Sequence, residues 1–191
     1  RLPDMYPFTG GCHYSNNCMN FQTGCQQCHF LKNNSIINIT KLNFLFKQKV
    51  FRNKNIFAVT PSSWLYNLAR KSLLLKEKSI YNIKTGVDIN LFHPFSSRQS
   101  CELLDLNINS NKIKILFGSL NFSADPRKGE DYLYEALKLL DPEKNLFIIF
   151  GSSGNEELTA NFDNIVYLGN FFDEVSMKLV YNTSDLMVVP S

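Results

Sequence analysis

The 191-residue sequence lacks the features that mark membrane-spanning, secreted and nucleic-acid-binding proteins. No apolar run approaches the roughly 18 residues that a membrane-spanning helix needs, and no signal-peptide pattern follows Arg1. The net charge of +3, with 19% charged residues, is too small to indicate binding to nucleic acid or to acidic lipid. These absences predict a cytoplasmic protein without a nucleic-acid partner. Because a complete chain ordinarily begins with Met, Arg1 leads us to expect a piece of a longer protein.

The sequence also lacks the G-x-G-x-x-G fingerprint that opens the first helix of dinucleotide-binding Rossmann domains. This absence argues against a Rossmann enzyme that binds a nucleotide through this fingerprint, such as a sugar-nucleotide epimerase. No internal repeat is evident, so a repeat architecture is not expected.

Apolar strands alternate with amphipathic helices over most of the chain, and this order predicts an α/β fold with parallel sheets covered on both faces. With 44% hydrophobic residues and 16 phenylalanines, the chain can bury a substantial core. The stretch from 90 to 111 has no periodicity and is the best linker candidate. The expected elements are helix 36–55, strand 56–59, a helix capped by Ser62 or Ser63, strands 79–83 and 113–118, helix 128–140, strands 145–151 and 165–168, helix 173–183 and strand 186–189.

A basic loop connects the predicted strand at 113–118 to the predicted helix at 128–140. The first N–H groups of a helix have no partner within it, and the helix dipole is positive at that end, so both favour an anion. Lys128 adds a point charge suited to phosphate, and Gly129 eases a turn. The loop therefore predicts a phosphate site, with a solvated loop lysine as the alternative.

Four of the five cysteines lie in the turn-rich first 35 residues: Cys12, Cys18, Cys25 and Cys28. Clustered thiols in a chain without a secretion signal are more typical of metal binding than of disulfides. Only the last spacing, C-x2-C, is that of a zinc site, and the first is wider than usual. His13 and His29 each adjoin a cysteine and could substitute as ligands. We expect either a structural zinc or a set of buried or loop thiols.

Four blocks of sequence occur in a fixed order: DMYPFTGGCHY at 4–14, VTPSSWL at 59–65, GVDINLFHP at 86–94 and DPRKG at 125–129, followed by a fitting tail at 167–191. Taken in this order, the blocks resemble the GT-B glycosyltransferases of retaining family 4. They are most similar to the subgroup that assembles colanic acid and other bacterial exopolysaccharides. Each block is short, but together they cover nearly the whole chain.

This resemblance implies a GT-B fold of two Rossmann-like lobes that face a cleft, both incomplete here. Residues 1–92 would be the C-terminal part of the acceptor-binding domain with its Cys-rich loop, 93–110 a linker, and 111–191 the first part of the donor-binding domain. Relatives carry an E-x7-E motif shortly after the Pro-Ser that ends this sequence. We therefore expect a fragment, truncated at both ends, that is inactive alone.

By the same resemblance, the chain is part of a retaining glycosyltransferase in polysaccharide biosynthesis. Such an enzyme moves a hexose from a nucleotide-diphosphate sugar to a saccharide or a lipid-linked acceptor. It has no obligatory metal, which fits the absence of an Asp-x-Asp pair. It would work in the cytoplasm and could associate peripherally with the inner face of the membrane. The alternative is a zinc-stapled, non-catalytic interaction module or an inactive remnant.

The resemblance assigns the donor diphosphate to Lys128, with Gly129 in the same turn. Many relatives add a basic residue soon after the glycine of the first strand in this domain. Ser119 and Leu120 follow that glycine here, so the second cation is absent or is replaced by Arg127. No catalytic residue is assigned.

The acceptor-cleft candidates are Asp4, Thr9, Gly10 and Gly11. Many relatives have a histidine, which touches the donor sugar, immediately before the aspartate. Pro3 stands there in this sequence, so Asp4 is a candidate only for a polar contact in the cleft. Thr9, Gly10 and Gly11 would shape an acceptor-facing loop, with a structural turn as the alternative.

Gly86 and Asp88 fall in the family's Asn-Gly-Val/Ile-Asp turn, although Lys84 and Thr85 replace its usual Pro-Asn. We interpret Gly86 and Asp88 as hinge-turn residues rather than catalytic ones. The alternative is a turn that only links the two domains.

Overall fold

The computed structural model describes residues 1–26, 28–31, 38–108, 111–118, 126–151 and 162–190. They form two compact units, Arg1–Gly86 and Val87–Ser191. Each unit has its own sheet, and every strand pair in the described residues is parallel. The predicted α/β class with parallel sheets is therefore confirmed. None of the helices in this described part combines the length and the apolarity needed to cross a bilayer.

The first unit contains a two-stranded sheet and two helices. The elements are α1 (Ile39–Arg52), β1 (Phe57–Thr60), α2 (Ser63–Lys71) and β2 (Ser79–Asn82), after short 3-10 turns at Tyr6–Phe8 and Asn20–Gln22. Asn38 caps α1 by accepting from the N–H of Lys41, and Ser62 caps α2 by accepting from the N–H of Leu65. Both caps satisfy a first-turn N–H group, and Ser62 is one of the two caps predicted from the sequence.

Three fully buried phenylalanines form the centre of the first unit's core: Phe8, Phe21 and Phe44. The rings of Phe8 and Phe21 meet edge to face with centroids 5.9 Å apart, which suits the aromatic quadrupole. Ser72 donates from Oγ to the carbonyl of Phe8 at 2.9 Å. The N-terminal loop, α1 and α2 therefore share one core.

The second unit is a four-stranded sheet with helices on both faces. Its elements are α3 (Ser97–Leu103), β3 (Ile113–Gly118), α4 (Glu130–Leu139), β4 (Asn145–Phe150), β5 (Ile165–Gly169), α5 (Glu174–Asn182) and β6 (Leu186–Val188). Alternate residues of β3 point to opposite faces, so Ile115 and Phe117 pack with Leu133 and Leu137 of α4. Leu116 packs on the other face, in a cluster with Val180 of α5.

The strand order in this sheet is β5-β4-β3-β6. The chain thus adds β4 and β5 on one side of β3 and then crosses to add β6 on the other side. This is the order of the first strands of a Rossmann-like sheet, in which the direction of winding reverses between the first and fourth strands. In open parallel sheets of this kind, ligands bind beyond the carboxyl ends of the strands at this reversal.

Two expectations about organisation differ from the structure. The predicted linker at 93–110 contains α3, which Ser96 caps, and Ser97 donates to the carbonyl of Thr183 at 3.0 Å. The boundary between units falls after Gly86, so this segment belongs to the second unit. A helix as short as α3 gives almost no periodic signal in the sequence.

The expectation that every strand is buried on both faces is wrong for β2 and β6, which lie at sheet edges and are largely exposed.

Candidate functional site

The N-terminus of α4 is the candidate anion site of the second unit. A 3-10 turn at Pro126–Lys128 leads into it, and Gly129 occupies the N-cap position with φ +73°. No side chain caps the helix at this residue. The carbonyl of Gly129 accepts from the N–H of Leu133 at 3.1 Å, which begins the helical ladder. First-turn N–H groups without a side-chain cap are donors that an anion can use.

Gly129 also fixes where this helix end lies. A Cβ at position 129 would be 2.8 Å from Cβ of Pro190 and 3.0 Å from its carbonyl oxygen. Pro190 follows the end of β6, so the start of α4 meets the chain beyond the carboxyl end of this strand, next to β3, where the winding reverses. The described part of the predicted phosphate loop, 126–129, therefore lies at the position in the sheet where Rossmann-like domains bind their ligands.

The two cations of this turn differ in exposure. Arg127 is exposed, Lys128 is partly buried and Gly129 is buried. The structure thus places the predicted donor residues together on one turn. Asp125, the first residue of the sequence block that suggested this site, and Ser119 and Leu120 lie outside the described residues.

The Asp4 carboxylate, an acceptor-cleft candidate in the first unit, has two partners. Its Oδ2 lies 2.6 Å from Nδ1 of His13, and its Oδ1 accepts from the N–H of Tyr6 at 2.8 Å. The rings of Tyr6 and His13 stack with centroids 5.1 Å apart. Burial works to raise the pKa of Asp4, but the His13 and Tyr6 contacts and the charge of Lys47 outweigh it, so this pKa is lowered.

Lys47 of α1 completes this group of polar residues, which we name the Asp4 cluster: Asp4, Tyr6, His13 and Lys47. The ammonium of Lys47 donates to the carbonyls of Tyr6 at 2.5 Å and Thr9 at 3.1 Å, and it lies 3.8 Å from the centre of the Tyr6 ring. Burial lowers the pKa of Lys47, although nearby thiols and Asp4 oppose this shift. Neither the pairing of His13 with Asp4 nor the place of Lys47 beside them has a local signature, so neither is predictable from the sequence.

Thr9 and Gly10 have structural contacts. Thr9 is fully buried, and its hydroxyl donates to the carbonyl of Cys12 at 2.8 Å. A Cβ on Gly10 would lie 2.7 Å from the carbonyl oxygen of Thr40 and 2.8 Å from Cβ of Cys25, so glycine permits a close approach here. Gly11 is partly exposed, with φ +152°. These contacts favour the structural-turn alternative for Thr9 and Gly10, and they hold the loop that carries Asp4.

The thiol of Cys25 is the buried centre of the cysteine group. It accepts from the N–H of Gly10 at 3.1 Å. Burial raises the pKa of Cys25 to about 11. The hydrogen bond from Gly10 acts to lower this pKa, and the thiols of Cys12, Cys18 and Cys28 act to raise it. The thiols of Cys12, Cys18 and Cys28 are thus each close enough to Cys25 to act on it electrostatically. Within the described residues, however, no three His, Cys, Asp or Glu side chains are arranged to hold a metal ion, so structural zinc stays a prediction.

Gly86 and Asp88 lie at the junction between the two units. A Cβ on Gly86 would meet no atom within 4 Å. The Asp88 carboxylate accepts from the N–H of Asn90 at 2.9 Å, and its carbonyl accepts from the N–H of Phe92 at 2.8 Å. Asp88 therefore builds a turn through its side chain, and a hinge role for Gly86 and Asp88 stays a prediction.

Comparison with known proteins gives no assignment for either site, because no protein-family model matches the chain and no curated protein matches it.

Proposed function

We propose that this chain is part of a retaining GT-B glycosyltransferase and that the α4 turn binds the diphosphate of a nucleotide-sugar donor. One observation carries the proposal: Lys128 and the α4 N-terminus, where Gly129 supplies no side-chain cap, lie where the winding of a Rossmann-like sheet reverses. The order of the sequence blocks supplies the reaction class. The proposed transfer is of a hexose to a saccharide or lipid-linked acceptor in polysaccharide biosynthesis.

The chemistry of the turn suits this leaving group. When the bond from the sugar to the diphosphate breaks, negative charge develops on the departing phosphate oxygen. Peptide N–H groups and a fixed ammonium stabilise that charge without first having to reorganise. Asp131 lies in the first turn of α4 and its charge opposes anion binding, so the positive charges of Lys128 and Arg127 have to outweigh it.

On the acceptor side, the proposal assigns a polar contact to the Asp4 cluster. Asp4 is ionised at neutral pH because its pKa is lowered, and it is fixed by His13 and Tyr6. A carboxylate held in this way can accept a hydrogen bond from a sugar hydroxyl. In this proposal Thr9 and Gly10 stabilise the loop through buried contacts and do not contact the acceptor.

Binding of three diphosphates tests the donor site: UDP, GDP and inorganic pyrophosphate, each titrated into the chain while backbone amide resonances are followed by NMR. We expect amide shifts in the first turn of α4 and binding at least about tenfold weaker in Lys128→Ala, the effect of losing one charge-assisted contact. Lys138→Ala is the matched control, because Lys138 lies in the last turn of the same helix and pairs with Glu135.

Unchanged diphosphate binding in Lys128→Ala, or shifts confined to other parts of the chain, would overturn the donor role. The zinc-stapled interaction module is the second candidate, favoured by the three thiols that act electrostatically on Cys25: Cys12, Cys18 and Cys28. The interaction module predicts that the chain binds no diphosphate and contains stoichiometric zinc. The same titration and a metal analysis therefore separate the two candidates.

A further inference from the structure

A cavity of about 390 Å³ lies beside the amino end of β3 in the second unit. Its lining comes from Lys114 of β3, from the segment 106–108 and from four residues of α3: Ser97, Arg98, Cys101 and Glu102. Lys114 is the second residue of β3, whereas the start of α4 lies at the opposite, carboxyl end of the sheet. The strand from Lys114 to Gly118 is about 13 Å long, so the cavity is separate from the proposed diphosphate turn.

Lys114 is a charged residue that is 9% exposed, and its side chain is 11% exposed. The carboxylate beside it belongs to Asp185, whose Oδ2 lies 3.6 Å from Nζ of Lys114, which is longer than a hydrogen bond. This oxygen already accepts from the backbone N–H of Lys114 at 2.8 Å, and the Asp185 side chain is half exposed. Within the described residues, the ammonium of Lys114 therefore has an ion-pair contact but no hydrogen-bond acceptor for its three N–H donors.

The ammonium of Lys114 faces the cavity. Lys114 is one of the lining residues, so the accessible part of its side chain opens into this space. Burial raises the pKa of the Cys101 thiol and the charge of Lys114 acts to lower it, so these two side chains lie close to each other. Arg98 and Glu102 form an ion pair at 2.9 Å. Among the charged residues that line the cavity, the positive charge of Lys114 is thus the one that no other lining residue balances.

We propose that this cavity binds a small carboxylate, whose oxygens accept hydrogen bonds from the ammonium of Lys114. A buried charge without hydrogen bonds is costly, and a carboxylate supplies charge-assisted ones. The single negative charge of a carboxylate matches the single unbalanced charge of the lining. A phosphate dianion would instead bring a second negative charge close to Asp185. Leu106 and Ile108 give the cavity apolar lining for a short hydrocarbon part of the ligand.

The charge of the second unit as a whole opposes the binding of an anion. Residues 87–191 carry eight lysines and arginines against fifteen acidic residues, a formal charge of −7. A carboxylate in the cavity is therefore held by its local contact with Lys114 and not by the field of the whole unit. Water is the alternative occupant, because it also accepts hydrogen bonds from an ammonium.

Alkylation of Cys101 in the whole chain by iodoacetate and by iodoacetamide tests this proposal, because only iodoacetate carries a carboxylate. With either reagent the thiolate sulfur attacks the CH2 carbon, iodide leaves, and the thiol proton has gone to solvent. We expect the ratio of the iodoacetate rate to the iodoacetamide rate at Cys101 to be at least about tenfold higher in the parent chain than in Lys114→Met. The effect of Lys114 on the pKa of the thiol changes both rates equally, so it cancels in this ratio.

Two further measurements separate a binding site from simple attraction of the reagent. The iodoacetate rate at Cys101 should saturate as the iodoacetate concentration rises, because binding precedes reaction. Acetate should slow this reaction competitively, and inorganic phosphate at equal ionic strength should slow it less. Mass spectrometry of peptides after timed alkylation gives the rates.

Lys114→Met suits this test because methionine keeps an unbranched apolar stem, and replacing a buried charge by an apolar side chain of similar volume is often neutral for stability. The backbone N–H of residue 114 still donates to Asp185, and an unchanged Tm checks the fold. Lys144→Met is the matched control. It makes the same change in net charge at an exposed lysine that pairs with Asp141, and it should keep the parent's ratio.

Equal ratios in the parent chain and in Lys114→Met would refute the proposal and leave water as the occupant of the cavity. An iodoacetate rate that rises linearly without saturation, or a lack of protection by acetate, would also refute it. Stronger protection by phosphate than by acetate would overturn the choice of a carboxylate. None of these results depends on the proposed diphosphate turn, because Lys114 and Cys101 lie outside it.

Discussion

Gly129 and Pro190 are in contact across the second unit so closely that position 129 has no room for a side chain. A Cβ there would lie 2.8 Å from Cβ and 3.0 Å from Cγ of Pro190. Gly129 also has φ +73°, in the left-handed region that residues with a Cβ rarely adopt. One glycine thus begins α4 and brings this helix end against Pro190 in the chain after β6. The geometry of the proposed diphosphate turn depends on this contact.

Gly129→Ala should destabilise the second unit by about 2 to 4 kcal/mol. This is the sum of two free-energy costs, one for placing a Cβ in the left-handed region and one for the overpacked contact with Pro190. Hydrogen exchange of the β3 and β4 amides measures this effect for that unit alone. Fluorescence would not, because the single tryptophan, Trp64, lies in the first unit.

Gly86→Ala is the control for Gly129→Ala. A Cβ at position 86 would meet nothing within 4 Å, so this variant should be neutral or slightly stabilising. If Gly129→Ala left β3 and β4 exchange as slow as Gly86→Ala does, the contact with Pro190 would not constrain the turn.

Sequence patterns predicted the elements well where the signal is local. The continuous apolar runs of β3 and β4, and the helical spacing of Leu133 and Leu137, are local signals, and the structure has these elements at nearly the predicted positions. The pairing of Asp4 with His13 could not be predicted, because it depends on the 3-10 turn at Tyr6–Phe8 that brings them together. The need for glycine at 129 likewise comes from Pro190, a residue distant in sequence.

The pKa of Asp4 should be measurably below 3.8, and His13→Ala should raise it toward that value. Carboxyl-carbon NMR over an acid titration measures both. Because the pKa is lowered on folding, the pair stabilises the protein above the unfolded pKa, and this contribution is lost as the pH falls through the folded pKa. His13 is largely exposed, so we expect only about 0.5 kcal/mol.

Asp173 is the internal reference for this titration. Its pKa is lowered by the N–H of Ser176 at the start of α5, a contact that His13 does not touch. His13→Ala should leave the Asp173 titration unchanged. A shift of both carboxyls would point to a general change in charge or structure, and no shift of Asp4 would mean that its hydrogen bond to His13 does not form in solution.

Cys25 should be the slowest of the four clustered thiols to react with iodoacetamide at pH 8. With a pKa of about 11, its thiolate is roughly a hundredfold scarcer than that of a cysteine with an ordinary pKa. Because this pKa is raised on folding, the thiol's contribution to stability is full below the unfolded pKa and is lost as the pH rises through about 11. Mass spectrometry of peptides after timed alkylation gives the four rates.

The same alkylation decides between structural zinc and unligated thiols. If Cys12, Cys18, Cys25 and Cys28 hold zinc, all four thiols should be protected until EDTA is added, and EDTA should lower the Tm. Without metal, Cys12, Cys18 and Cys28 should react at once and EDTA should have no effect. Rapid alkylation of Cys25 would contradict its burial in either case.

Lys128→Ala should lower the turnover of a glycosyltransferase that contains this chain by about two to three orders of magnitude, the effect of removing one preorganised group that stabilises developing charge. The loss should appear in kcat, because that charge is larger in the transition state than in the bound donor. Folding should be nearly unchanged, since a lysine in a partly exposed turn contributes little to stability. Lys138→Ala in the last turn of α4 should keep full turnover. Equal turnover in the two variants would leave Lys128 as a solvated loop lysine.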